Sequence, residues 1–117
     1  MRQGIVKYNN EQAGILTEED NGAYLFEYDS AYIQKHPHQF ITFQMPVSKQ
    51  PYRSKRLFPF FDGLIPEGWL LNIAAESWKI NKNDRMGLLL ACCQNTIGAE
   101  SVHPVYPNSQ SIPYWTN

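Results

Sequence analysis

The sequence predicts an α+β fold in which two main helices pack on one face of a small antiparallel sheet. Three short β-prone runs, separated by polar turns, occupy the first thirty residues. Two helical patterns follow in the second half, and a last β-prone run comes after them. Strands joined by short turns pair antiparallel, and helices that follow such a meander bury their apolar sides on one of its faces.

A single domain accounts for most of the chain. Its 117 residues, of which 43% are apolar and 18% charged, are enough for one modest core. We predict that this domain covers residues 1–106. Residues 107–117, which are mostly Pro, Ser, Asn and aromatic residues, are predicted to form an irregular tail.

Charge, hydropathy and cysteine usage exclude several classes of protein. The net charge of -1 argues against direct binding of nucleic acid, because a broad basic surface is needed to neutralise phosphates. The chain has neither the long apolar run of a membrane span nor the apolar core of a secretion signal. Its only cysteines, Cys92 and Cys93, are adjacent and cannot easily bond to each other. We therefore expect a cytoplasmic protein with reduced thiols and no membrane contact.

The first strands are predicted over residues 3–8, 13–17 and 23–28, with polar turns between them. A short helix over residues 31–34 follows, and Asp29 or Ser30 is a candidate cap for it.

A fourth strand is predicted over residues 40–45, where β-prone residues continue up to Pro46. The polar connection over residues 47–55 contains Pro51 and is expected to lie on the surface. Tyr52 is a candidate anchor for it.

Residues 56–71 form an unusual stretch that contains three Phe, two Pro, two Gly and one Trp. Pro and Gly prescribe turns of the backbone, and the apolar residues between them need a core. The stretch therefore predicts a rigid corner that locks the helix pair onto the sheet. The residues expected to do so are Phe58, Phe60, Phe61, Leu64 and Ile65.

Both main helices have recognisable starts. Pro66 suits the first turn of a helix that runs to residue 78 or 80, and Glu67 suits the positive end of its dipole. Asp84 is a candidate N-cap for a second helix over residues 85–93. A closing strand is predicted over residues 98–104.

The first main helix has one apolar side and one misplaced tryptophan. At 100° per residue, its core-facing stripe is predicted to contain Leu70, Ile73, Ala74 and Trp78, with Leu71 at its edge. Trp69 lies well outside that stripe. Its indole either folds over Phe60 or Phe61, or remains exposed as an anchor for another protein.

Motifs of catalysis are missing from the sequence. It contains no Gly-rich phosphate loop, no nucleophile elbow and no kinase catalytic motif. His36 and His38 flank Pro37, but a metal site would need further ligands that the sequence does not supply. We therefore expect a protein that is not an enzyme, with no catalytic, cofactor-binding or metal-binding residues and no cofactor.

Several segments resemble, in the same order, the N-terminal subdomain of the HipA-like serine/threonine kinases. The most specific is Phe58-Pro-Phe-Phe-Asp-Gly-Leu-Ile-Pro-Glu-Gly68, which is similar to that family's Phe-Phe-x-x-Leu-Leu-Pro-Glu-Gly element. Weaker segments begin at Gly14, Tyr24, Thr42 and Leu88. The resemblance spans residues 3–106 and implies the fold of that subdomain.

The resemblance also implies a partner. The kinase motifs of a HipA-like toxin belong to a part that this chain lacks. A separate copy of the subdomain resembles the HipS antitoxins of three-part HipBST systems, which neutralise a shortened kinase, HipT, with a HipB-like DNA-binding protein completing a ternary complex. The alternative is a structural subdomain or fragment of a full-length HipA-like kinase with no inhibitory role; the initiating Met1 and the tail argue mildly against it.

The predicted kinase contacts lie around the start of the first main helix, at Pro66, Glu67, Gly68, Trp69 and Asn72. A basic cluster before the corner, Arg53, Lys55 and Arg56, is either a solvated loop or a partner for acidic residues of the kinase. In the tail, Ile112, Tyr114 and Trp115 are expected to dock either on the domain or on the partner.

Overall fold

A computed structural model describes residues 1–94 and 98–105, with Trp69 described by its backbone alone. The predicted tail and its three apolar residues lie outside the described part. Five strands and four helices follow one another along the described chain. They are β1 Arg2–Tyr8, β2 Glu11–Glu18, β3 Tyr24–Tyr28, α1 Ser30–Lys35, β4 Tyr52–Ser54, α2 Pro59–Asp62, α3 Gly68–Trp78, α4 Arg85–Cys92 and β5 Glu100–Val105.

The strands form one antiparallel sheet in the order β4-β3-β2-β1-β5. The predicted meander is confirmed. Its first turn consists of Asn9 and Asn10, whose φ angles of 52° and 66° are those of the tight hairpins that match the twist of the strands. The closing strand is confirmed as β5, which pairs with β1 and places the first strand in the interior of the sheet.

The predicted fourth strand is wrong. Residues 40–45 form bends and a turn, and β4 lies instead inside the predicted surface connection. Ile41 and Met45 are both buried, and the phenol of Tyr28 accepts a hydrogen bond from Ile41 N and donates one to Met45 O. One side chain therefore satisfies backbone groups that a neighbouring strand would otherwise have paired.

The aromatic corner has the predicted role. It contains a short helix, α2, that was not predicted. Pro59 is the first residue of α2, where its missing N–H costs no hydrogen bond. Phe61 is fully buried and packs against Phe26 of β3, with ring centroids 5.7 Å apart. Phe58 and Ile65 are buried as well, while Phe60 and Leu64 are half-buried against the same core. The corner thus joins the helices to the sheet as expected.

The second main helix begins where the sequence predicts. The carboxylate of Asp84 accepts a hydrogen bond from Gly87 N at 3.1 Å, as an N-cap does. Six consecutive residues of α4, from Met86 to Ala91, are buried. The helix packs against β5, and Val102 N donates to Cys93 O at 2.8 Å just after the helix ends.

The described helices are short. The longest, α3, has 11 residues, about half of the roughly 20 that a membrane span requires. Within residues 1–94 and 98–105, no helix is long and apolar enough to cross a membrane.

Candidate partner-binding surface

Helix α3 turns an apolar side toward solvent. Leu70 and Ile73, three residues apart, are each 50% exposed, whereas Ala75 is buried and Leu71 half-buried. The prediction that Leu70 and Ile73 face the core is therefore wrong. A second stripe through Leu71, Ala75 and Trp78 has equally good helical spacing, and its small Ala75 faces inward. Periodicity alone could not choose between the two stripes.

The start of α3 is open to solvent. Glu67 is exposed in an extended conformation, and its side chain makes no capping hydrogen bond. Gly68 has φ of +61°, a left-handed conformation that favours glycine, and an added Cβ there would meet no atom within 4 Å. Pro66 is half-buried just before them. The predicted contact residues 66–68 therefore border free space.

Trp69 is the second residue of α3, so its backbone position is fixed at this open start. Its side chain lies outside the described part of the chain. The two interpretations of its indole, a cover for the corner or an anchor for a partner, therefore remain predictions.

Asn72 lies one turn further along α3 and is exposed. Its Oδ1 accepts a hydrogen bond from Lys82 Nζ at 2.8 Å. Both residues line an open cleft of about 600 Å³, together with Glu76 and Lys79. This part of the predicted site is thus a polar edge beside the apolar surface of α3.

The basic cluster lies on a different cleft. Lys55 and Arg56 are exposed and line a cleft of about 540 Å³ with Asp62 and Asp84. Arg53, in β4, has its Nη1 3.6 Å from Glu19 Oε1. The structure therefore separates the predicted site into two regions, and the connection between α3 and α4 lines both clefts.

The carboxylates that line the cleft beside Lys55 and Arg56 are already paired with arginines of the same domain. Arg2 donates hydrogen bonds to Glu18 and to Asp84, and its guanidinium holds the pKa of Asp84 below the usual range. Arg85 Nε donates to Asp62 Oδ1 at 2.6 Å. By contrast, Lys55 and Arg56 form no ion pair with the described carboxylates. They are the cations of this cleft that are available to a partner.

The two cysteine thiols are partly or fully buried. Burial raises the pKa of Cys93 to about 12 and also raises the pKa of Cys92, so both thiols are protonated at neutral pH. Across residues 1–94 and 98–105, no three His, Cys, Asp or Glu side chains are grouped closely enough to hold a metal ion.

Comparison with known proteins finds a relative by sequence and a solved structure by fold. One relative, an uncharacterized protein of Haemophilus influenzae, is 33% identical over 102 residues, which is 87% of this chain and 92% of the relative. A solved structure, the N-terminal domain of HipA toxin, superimposes with a TM-score of 0.67 at 30% identity, over 91% of this chain and 94% of that chain.

The family model described as the HipA N-terminal domain matches residues 4–103, from the first strand of the sheet to the last. The α+β fold, with its five-stranded antiparallel sheet, is likewise that of the HipA N-terminal domain structure. The chain therefore belongs to the HipA N-terminal domain family.

Proposed function

We propose that this protein is an antitoxin that binds and neutralises a shortened HipA-like serine/threonine kinase of the HipT kind. It acts by protein–protein contact and not as an enzyme. The observation that carries the proposal is the outward apolar face of α3, formed by Leu70 and Ile73 beside an open helix start. On a small domain, such a face is typical of a surface that a partner covers.

The family of this chain supports the choice of partner in this proposal. This chain contains the HipA N-terminal domain, and the relative from Haemophilus influenzae consists of little more than the matched region. In this proposal the domain and the kinase are separate chains, so regulation requires an interface between them. A shortened HipA-like kinase is therefore the partner that fits best, and a HipB-like DNA-binding protein would complete a cytoplasmic ternary complex.

The proposed contact has an apolar centre and a polar edge. Trp69 joins Leu70 and Ile73 as the anchor, since a tryptophan on a helix buries a large area with little loss of rotamer entropy. Pro66, Glu67 and Gly68 border it at the helix start, and Asn72 borders it one turn later. The start of α3 would press against the active-site cleft of the kinase. There it would block the access of substrate or hold the cleft open.

The basic cluster has a secondary role in this proposal. Arg53, Lys55 and Arg56 are exposed on a neighbouring region, where they would meet acidic residues of the kinase. Exposed charges of this kind raise the association rate more than the final affinity. Substituting them should therefore slow binding, with a strong dependence on salt.

The decisive experiment uses the shortened HipA-like kinase that we propose is encoded beside this chain. We expect the two proteins to co-purify and the kinase to lose activity when the chain is added. Trp69→Ala, and the double variant Leu70→Ser with Ile73→Ser, should stay folded by circular dichroism and inhibit at least about tenfold less well. Val105→Ser is the matched control, because it removes an exposed apolar side chain from β5.

Three results would count against the proposal. Failure of the wild-type chain to bind the kinase would exclude it. Binding without loss of kinase activity would favour a passive structural subdomain. If Trp69→Ala fully restored the growth of cells that express the kinase, Trp69 would not be the anchor of the contact.

A further inference from the structure

The sheet has a second face that the core does not use. Side chains alternate between the two faces along a strand, and those of Val6, Leu16, Phe26 and Val102 are buried in the core. Each of the four described helices also contributes a buried residue to that core. The described helices therefore lie on one face of the sheet. We call the opposite face, which carries the intervening residues of the strands, the open face.

The open face has an apolar centre. Ile5 of β1 lies opposite Ile15 of β2, and Leu25 of β3 and Val105 of β5 lie one row away. The first three side chains are half-buried and Val105 is 37% exposed. None of these four described residues belongs to the core cluster. Because the solvated face of an antiparallel sheet is normally polar, apolar side chains on its two middle strands indicate that something covers them.

Polar groups around this centre bond to one another. Gln3 Nε2 donates a hydrogen bond to Thr17 Oγ1 at 3.1 Å, and Thr17 is only 6% exposed. On β5, Ser101 Oγ lies 2.9 Å from His103 Nε2. Burial, with a smaller contribution from Lys7, lowers the pKa of His103 below its ordinary 6.5, so the ring is neutral at pH 7. The half of the face that β5 borders is therefore suited to an apolar, uncharged occupant.

A segment of that chemistry begins at the edge of the open face. Strand β5 is an edge strand, and it ends at Val105, on the open face. Residues 106–117 follow directly and contain no Asp, Glu, Lys, Arg or His. Their large apolar residues include Ile112, Tyr114 and Trp115. The match to the HipA N-terminal domain stops at residue 103, before this tail begins.

The tail is long enough to cross the face. Three strand spacings of about 4.8 Å separate β5 from β3, so the apolar centre extends about 14 Å from Val105. Ile112 follows Val105 by seven residues, and an extended chain of that length reaches about 23 Å. The apolar residues of the tail can therefore reach every strand from β5 to β3.

We propose that residues 107–117 fold back across the open face, where Ile112, Tyr114 and Trp115 cover the pair of isoleucines on β1 and β2. Pro107 and Pro113 restrict the backbone of the tail and so reduce the entropy that docking costs. This inference does not depend on the proposed function. Helix α3 lies on the other face of the sheet, so a docked tail leaves the start of α3 free for the kinase.

The tether favours the tail over other occupants of the face. A segment joined to the edge of its site by a few residues meets that site at an effective concentration of about millimolar. A second copy of the chain or a separate partner must instead reach such a concentration in solution. The face has only a narrow apolar centre, which suits one strand-sized segment better than a large protein interface.

The test uses methyl NMR of the full chain without any partner. The wild type should show nuclear Overhauser effects between the indole of Trp115 and the methyl groups of Ile5 or Ile15. Trp115→Ser should shift both isoleucine signals, because the ring current is lost, and should leave the core residue Leu89 unchanged. Gln110→Ala is the matched control, since it changes a polar residue of the same tail and should leave the isoleucine signals in place.

A reciprocal variant tests the face itself. Ile15→Thr keeps a β-branched residue in β2 but makes the apolar centre polar, so it should weaken the effects between Trp115 and Ile5. An unchanged Leu89 signal would again show that the core is intact.

The outcomes decide between the occupants. Isoleucine signals that do not respond to Trp115→Ser overturn the inference. Shifts that disappear on dilution show that a second copy covers the face, and the inference is then wrong. It is also wrong if Trp115 contacts the isoleucines only after the kinase is added. Failure of the kinase to bind would overturn the proposed function alone, because the tail is tested in the free chain.

Discussion

The guanidinium of Arg2 donates hydrogen bonds to both carboxylate oxygens of Asp84, at 2.8 and 3.0 Å, across 82 residues of chain. Arg2 begins β1, and Asp84 caps α4 through Gly87 N. The pair therefore fixes the start of the buried helix to the start of an interior strand. Both side chains remain more than a third exposed, so solvent screens their attraction.

Substitution of Asp84 should distinguish the cap from the ion pair. Asn is as good an N-cap as Asp, so Asp84→Asn keeps the cap but removes the charge and one of the two acceptors for Arg2. It should lower the free energy of unfolding by about 1 kcal/mol. Asp84→Ala also removes the cap and should cost about 1 kcal/mol more. Urea unfolding measures both. Equal losses for the two variants would show that the cap contributes nothing.

The same carboxylate predicts a pH dependence. Its hydrogen bonds from Arg2 lower the pKa of Asp84 below the ordinary 3.8, so the folded state binds this proton less readily than the unfolded state. The resulting stabilisation is present above about pH 4 and is lost as the pH falls through the folded pKa. The difference in unfolding free energy between wild type and Asp84→Asn should shrink below pH 4. A difference that stays constant down to pH 2 would contradict this.

Tyr28→Phe should destabilise the protein through two backbone groups. Without the hydroxyl, Ile41 N and Met45 O lose their partner in a buried environment, at a cost of about 1–3 kcal/mol. Tyr52→Phe is the control, because its bond to Pro46 O is exposed and should cost less. Thermal melting compares the two variants. Equal melting temperatures would mean that residues 41–45 do not depend on the Tyr28 hydroxyl.

Phe61→Ala should be among the most damaging single changes in the corner. The ring is fully buried against Phe26, and removing a buried aromatic side chain costs about 3–5 kcal/mol. Phe60→Ala should cost clearly less, since Phe60 is half-buried. Phe61→Leu keeps most of the volume and provides a folded variant for urea denaturation. Similar losses for Phe60→Ala and Phe61→Ala would refute the role given to Phe61.

The parts of the fold that could be predicted are those that local chemistry determines. Asn9-Asn10 adopts positive φ readily, and it made the first hairpin visible in the sequence. Asp84 before an apolar run marked the start of α4. The aromatic corner was recognisable because Phe residues between Pro and Gly need a core.

The parts that could not be predicted depend on distant partners. Strand β4 has three residues, and they form a strand because they pair with β3. The β-prone run over residues 40–45 is taken out of the sheet by the hydroxyl of Tyr28, which lies 13 residues before Ile41. No local pattern reports such a hydrogen bond.

The start of α3 was predicted to within about two residues, and the burial of its side chains was predicted less well. The open start of α3 is where the sequence placed it, and Gly68 and Glu67 are exposed there. The apolar centre was missed because Leu70 and Ile73 were assigned to the core. Helix α4 packs on α3, and the stripe that faces the core is the one that contains the buried Ala75.

The pairing of β1 with β5 has a consequence for synthesis on the ribosome. Gln3 lies opposite Val105, so the sheet is complete only when its first strand can pair with its last strand in the chain. Until β5 emerges, β1 has an open edge that another chain could pair with. Contacts between such distant residues also slow folding. The finished sheet should therefore form only after nearly all of the domain has left the ribosome, and chains stopped before residue 100 should aggregate or be degraded.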